Sequence, residues 1–226
     1  MGSINIVSAT RLSQQAFLER AALGRSLVGA YNAFPIRLKL FPENTRSLSE
    51  CYNNAIDHTG GDDILVFVHD DVFITDFFWM DHLTIALDQF DLVGVVGNIR
   101  RQPRQPNWCF VDENQTWDDF AYLSGMIGQG HGFPCRIGVY GAAFQPCRLL
   151  DGVFLAARRK TFIDHGIRFD ERFMFDFYDV DICRQFEARG LRMGTTPISL
   201  IHESEGDFTS PQWRQAYQAY LEKWSD

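Results

Sequence analysis

The chain has 226 residues, 46% hydrophobic and 22% charged, which excludes a disordered, collagen-like or coiled-coil polymer and predicts one domain with a sizeable core. Asp and Glu total 29 against 21 Lys and Arg, and the formal charge of -8 suits a polyanion poorly, so nucleic acid is not an expected partner. Aromatic residues reach 14%, enough to supply both core packing and stacking surfaces for sugar or base rings.

Ile4 to Ser8 reads as a short opening strand, and the apolar spacing of Phe17, Ala21 and Val28 predicts one helix from about Ser13 to Tyr31. Ile36 to Phe41 alternates apolar and basic residues with the strand period of two. Pro42-Glu43-Asn44-Thr45 marks a turn, and Ser47 caps a helix through about Asp57. Ile64 to Val68 is a continuous apolar run, as in a strand covered on both faces, and it stops at His69-Asp70-Asp71. A helix over Asp76 to Gln89 and a buried strand over Leu92 to Gly97 complete an alternating order, which predicts an α/β sandwich with a mainly parallel sheet.

From Asn98 to about Pro146 the pattern gives way to Gly, Pro, Arg and aromatic residues, an insertion over one end of the sheet. Gly125, Gly128, Gly130 and Gly132 lack the flanking strand and helix of a dinucleotide fingerprint and read as a mobile loop. Val153 to Ala157 is strand-like, Lys160 to His165 and Asp179 to Arg189 are helical, Pro197 to Ile201 is extended, and Pro211 to Trp224 closes with an amphipathic helix.

Five cysteines at irregular spacing, with no CxxC, argue against a disulfide framework, and Cys109, His131, Cys135 and Cys147 fit no usual zinc spacing. Neither a signal peptide nor a run of about eighteen apolar residues is present, so a cytoplasmic protein without a membrane span is expected.

Ligands of open α/β sheets bind outside the carboxyl ends of strands, where His69-Asp70-Asp71 falls. Acids there either draw a hard divalent cation toward substrate phosphates or cap the following turn. Asp179, at a predicted helix start, is either an N-cap or a functional carboxylate, and His202, after a strand, is either a hydrogen-bonded structural group or a ligand. Arg100, Arg101 and Arg104 either meet donor phosphates or lie on a solvated loop. Trp108, Trp117, Phe133 and Tyr140 serve either the core or a stacked acceptor sugar.

Taken in order, Ser47-Leu48-Ser49 leading to Tyr52-Asn53-Asn54-Ala55-Ile56, Ile64 to Val72, Asp151-Gly152, Phe169-Asp170-Glu171, Tyr178-Asp179-Val180-Asp181 and His202 resemble the family 2 glycosyltransferases. These are nucleotide-sugar-dependent enzymes of the GT-A fold, and the likeness is nearest to a bacterial subgroup whose strand end reads His-x-Asp-Val. It covers most of the chain outside about 98–146. The resemblance implies a single GT-A α/β/α domain over 1–226, with a nucleotide-sugar-binding half over 1–97, the insertion over 98–146, and an acceptor and catalytic half over 147–226.

By the same resemblance, Asp71 ends the family's Asp-x-Asp motif and binds a metal, Mn²⁺ or Mg²⁺, with His202 completing the site. His69 stands where the first acid is usual. Ser8, Glu43, Asn53, His69 and Asp70 fall on the donor side, and Asp151, Gly152, Tyr178 and Asp181 on the acceptor side. Asp179 keeps the acid of the family's Glu-Asp motif, the catalytic base of inverting enzymes, while Tyr178 replaces the Glu. The implied function is an inverting hexosyltransferase-like enzyme that moves a sugar from a nucleotide sugar, a UDP-sugar foremost, to a hydroxyl of a glycan or other acceptor, in bacterial polysaccharide assembly. The runner-up is a GT-A-like module that binds a glycan or nucleotide without turnover. A nucleotidyl or phosphoryl transferase comes third, because no GxxxxGK[ST] loop is present.

Overall fold

The structure, a computed structural model, describes residues 2–28, 36–204, 206 and 208–225. β1 (Ile4–Ala9) leads into α1 (Gln14–Arg20), capped by the Ser13 hydroxyl, which accepts from the Ala16 amide. A second helix, α2 (Ala22–Val28), follows at once. The single helix expected from Ser13 to Tyr31 is therefore two, and its far end at Tyr31 lies outside the described residues. Ala21 breaks it by adopting an extended backbone with ψ 142°. Gly24 allows the fold-back, since a Cβ there would lie 2.1 Å from the Phe17 carbonyl oxygen.

β2 (Ile36–Phe41) precedes α3 (Leu48–His58), which starts with a reciprocal capping box between Ser47 and Glu50. β3 (Ile64–Val68) is buried at all five positions, as its unbroken apolar run requires. Then come β4 (Val72–Ile74), α4 (Trp79–Gln89), β5 (Leu92–Gly94) and β6 (Val96–Asn98). The 98–146 segment contributes β7 (Leu123–Gln129), β8 (Arg136–Val139) and, at its end, β9 (Pro146–Cys147). β10 (Leu149–Leu150), β11 (Phe154–Arg158), α5 (Arg159–Asp164), α6 (Tyr178–Ala188), β12 (Met193–Thr195), β13 (Leu200–His202) and α7 (Pro211–Trp224) complete the order.

The main sheet runs β2-β1-β3-β11-β5-β12-β9. β2, β1, β3, β5 and β12 share one direction, and β11 and β9 oppose it, so the sheet is mixed with a parallel majority. A second sheet runs β10-β6-β7-β13-β4, with β8 on β7. The run expected as one strand over Leu92 to Gly97 is divided between the two sheets at Val95. The glycine-rich stretch expected as a mobile loop is mostly strand, because Gly125 and Gly128 lie within β7. Gly125 has φ +92°, and a Cβ there would sit 2.0 Å from the Val95 carbonyl oxygen. Small residues here serve close backbone crossing, not mobility.

Much of the aromatic content is core. Tyr52, Phe67, Phe162, Phe169 and Phe186 form a chain of edge and tilted contacts under the main sheet. Each fully buried ring of this size contributes about 2–3 kcal/mol. α7 docks by stacking Trp213, Tyr217 and Tyr220 on Phe177, the residue that starts α6. Among the described residues, no helix is long and apolar enough to cross a membrane.

Gly125→Ala is expected to lower stability by about 3 kcal/mol, combining steric overlap with a left-handed backbone position. Urea unfolding would show this as a lower midpoint at unchanged slope. A midpoint equal to wild type would contradict the close crossing of β7 over Val95.

Candidate active site at the carboxyl edge of the main sheet

Strand pairing brings part of the expected set together. β1 and β3 run parallel in register, Val7 opposite Phe67, so their carboxyl ends lie side by side. β11 runs antiparallel to β3 with Phe154 opposite Val68, which places the preceding Asp151-Gly152 beside His69. β13 pairs with β4 so that His202 faces Val72, the neighbour of Asp71. The amide of Glu203 donates to the Asp71 carbonyl at 3.0 Å and fixes this approach.

Among the described residues, His69, Asp71 and His202 form a group able to hold a metal ion, with candidate ligand atoms all within 4.8 Å of one another. Asp71 Oδ1 lies 3.3 Å from His202 Nε2. Oδ1 itself is buried and has no hydrogen-bond partner. Burial alone would raise the Asp71 carboxyl, yet His202 and then His69 hold it well below the usual carboxylate range. Burial likewise opposes a charged His202, but Asp71 outweighs it and raises the imidazole. Burial pushes His69 down. A buried, ionised carboxylate oxygen lacking a hydrogen bond, grouped with two imidazoles, fits a divalent cation.

Next to this group, Tyr178 and Asp179 open α6. The Tyr178 hydroxyl lies 2.7 Å from His69 Nε2 and donates to the Gly152 carbonyl at 2.9 Å. The Gly152 amide donates to Asp179 Oδ2 at 3.0 Å, and the Val180 amide to Oδ1 at 2.8 Å. Gly152 has to be glycine, since a Cβ would meet the Tyr178 hydroxyl oxygen at 2.3 Å. Asp179 is half-buried. Burial, followed by the charge of Asp151, pushes its pKa up to about 7 despite the two amide donors. Asp151 is itself gripped by Trp108 Nε1 at 2.5 Å and the Val153 amide at 2.8 Å.

Of the residues expected on the donor side, His69 and Asp70 line a small pocket of about 70 Å³ with Ala9, Tyr52, Asp71 and Phe175. Ser8 is adjacent, fully buried, with its Oγ lacking a hydrogen-bond partner. Glu43 is exposed in the turn after β2, outside that lining. Asn53 does not join the site. Its amide is committed to the Phe169 carbonyl, the Glu171 carboxylate and the Phe169 amide, bracing the 169–171 segment. Asp181 does not join it either: fully buried, it accepts from Lys223 Nζ at 2.7 Å and Trp224 Nε1 at 2.9 Å and so ties α6 to α7.

Arg100 is not free on a loop, because it pairs with Asp118 and stacks on Tyr122. Arg101 pairs with Glu187. The roles missed in sequence are His69 as part of the metal group and Phe175, whose ring stacks on His69 at 5.7 Å. Phe175 lies in an irregular segment where periodicity gives no signal. A larger cavity of about 670 Å³ among Phe90, Phe144, Arg148, Glu187 and Met193 lies at the β12-β9 edge and contains none of these groups. His69, Asp70 and Asp71 line the smaller pocket instead.

Residues 39–218 match the model of the glycosyltransferase-like family. The chain belongs to that family. No curated protein sequence matches this glycosyltransferase-like chain. Its fold is similar to that of GalNAc-T7 solved with UDP, GalNAc and Mn²⁺, with a TM-score of 0.53 at 11% identity over 97% of this chain and 48% of the other. A second similar structure is the catalytic domain of Drosophila β1,4-galactosyltransferase 7 in complex with xylobiose, with a TM-score of 0.46 at 9% identity over 86% of this chain and 65% of that one. The glycosyltransferase-like chain thus has the GT-A α/β/α fold and spans about half the length of the GalNAc-T7 chain.

In the free protein the Asp179 carboxyl is expected to titrate near 7, measurable as a ¹³C carboxyl shift that Asp179→Asn removes. The folded state then holds a proton that the unfolded state releases above its ordinary 3.8, so this group's contribution makes stability fall as pH rises from about 4 to about 7. Asp179→Asn flattens that slope. A titration at the ordinary carboxylate value would contradict the enclosed setting.

Proposed function

We propose that this chain is an inverting glycosyltransferase that moves a sugar from a nucleotide sugar, a UDP-sugar foremost, to an acceptor hydroxyl. The observation that carries the reading is Asp179: a carboxylate raised toward neutrality, oriented by two backbone amides, beside a group suited to a divalent cation. A base that takes a proton at neutral pH works best with a pKa near that pH. Asp179 accepts the acceptor's hydroxyl proton as the acceptor oxygen bonds to the anomeric carbon. The bond from that carbon to the diphosphate oxygen breaks, and the nucleoside diphosphate leaves with the electron pair. His69, Asp71 and His202 would hold the cation, which when bound offsets charge on the diphosphate.

On the acceptor side, Asp151 and Gly152 flank the base, and Tyr178 packs beneath it. Trp117, Phe120 and Tyr140 stack on one another at 5.7 to 6.1 Å, and Trp117 and Phe120 are about half exposed. Trp108 joins this group edge-on through Tyr140 and reaches Asp151 through its indole nitrogen. Exposed rings continuous with the cleft favour a glycan acceptor, because sugar rings present apolar faces to aromatics.

The test is release of nucleoside diphosphate from a panel of nucleotide sugars with Mn²⁺ and glycan acceptors. Asp179→Asn is expected to bind donor while losing about 10²–10⁴-fold in transfer rate. Trp117→Ala is expected to raise the acceptor KM about 3–10-fold, the worth of one aromatic contact, with donor affinity unchanged. Transfer by Asp179→Asn at the wild-type rate would refute the base assignment. Ligand binding with no product from wild type at long incubation would leave the non-catalytic binding module instead.

A further inference from the structure

His69 and Tyr178, the two places where this chain departs from the motifs it resembles, lie 109 residues apart and meet through a 2.7 Å hydrogen bond. We propose that Tyr178 is a positioning residue for the cation site: its hydroxyl holds His69 as the Nε2–H tautomer, so that His69 presents Nδ1 as a third ligand beside Asp71 and His202. The inference rests on the cation site of the proposed function and on no step of sugar transfer.

The tautomer follows from proton counting. A tyrosine hydroxyl has one proton, and that of Tyr178 goes to the Gly152 carbonyl, an obligate acceptor. Gly152 is buried, and a carbonyl left without its donor there is penalised. The Tyr178 oxygen is thereby left as an acceptor toward His69, so the proton on the 2.7 Å contact belongs to Nε2. An imidazole that ligates a metal is neutral, and with Nε2 protonated its lone pair is on Nδ1.

The ring is also held in place. Phe175 stacks on it at 5.7 Å and 27°, and His202 lies 5.8 Å away on centroids. Asp71 Oδ1 is buried with no hydrogen bond, and the ligand atoms of the three residues lie within 4.8 Å of one another. Metal-binding histidines commonly use their second nitrogen on an orienting partner, and loss of that partner typically weakens metal affinity about 10–100-fold. Here that partner is a phenol, and its own proton is fixed by the carbonyl of Gly152, the same residue whose amide donates to Asp179.

The experiment is Mn²⁺ titration of the metal-free full chain, followed by loss of the free-ion electron paramagnetic resonance signal, with ¹⁵N-histidine NMR before metal is added. Wild type is expected to show His69 as the Nε2–H tautomer. Tyr178→Phe is expected to weaken Mn²⁺ binding about 10–100-fold, and His69→Ala at least as much. The double variant is expected to bind no more weakly than His69→Ala, because Tyr178 acts only through His69. Wild-type affinity in Tyr178→Phe or His69→Ala, additive losses in the double variant, or an Nδ1–H tautomer in wild type would each overturn the inference while leaving the transferase reading intact. The NMR result stands even if a variant fails to fold. A wild type that binds no Mn²⁺ would overturn both this inference and the cation site of the proposed function.

Discussion

The geometry of the cleft depends on the absence of a side chain at Gly152. A Cβ there would lie 2.3 Å from the Tyr178 hydroxyl oxygen and 3.0 Å from Asp179 Cβ, so the start of α6 closes on β11 only over bare backbone. The glycine backbone then serves two neighbours at once, its carbonyl accepting from Tyr178 and its amide donating to Asp179. One glycine therefore sets the spacing between the would-be base and the imidazole of His69. Phe177, with its left-handed φ of 66°, lets the chain turn into α6 at this point, and α7 stacks on that ring from behind.

Three carboxylates meet here in a protein already rich in acid, and their surroundings give them different character. Asp71 faces two imidazoles and stays ionised. Asp179 is desolvated by burial and faces the charge of Asp151, so its own charge is disfavoured until near neutrality. Asp151 has an indole nitrogen and a backbone amide to hold it. Separation of titrating groups by environment is a common way for one cleft to hold a cation and accept a proton at the same pH.

How much of this was legible in the sequence depended on whether a signal was local. The run from Ile64 to Val68 is apolar because both its faces are covered, and the capping box at Ser47 is a three-residue pattern, so both could be read directly. The Asp71, Asp179 and His202 placements came from the order of motifs, and the fold brings all three to one edge. Long-range packing could not be read. The split at Ala21 needed the approach of Gly24 to Phe17, and the strand character of Gly125 and Gly128 needed the crossing at Val95. Asp181 entered the expected site with the motif Tyr178-Asp179-Val180-Asp181, but two positions along a helix turn it to another face than Asp179, where Lys223 and Trp224 take its charge.

The division of the chain at Val95 into two sheets has a mechanical consequence. His69 extends from β3 of the main sheet, whereas Asp71 leads into β4 and His202 ends β13, both in the second sheet. A cation held by these three residues would be a rivet across the seam between the sheets. Its occupancy would then be linked to how firmly the layers stay registered, since any ligand that binds only the assembled form stabilises it by mass action. The acidic cleft and the architecture that frames it would thus respond to the same ion.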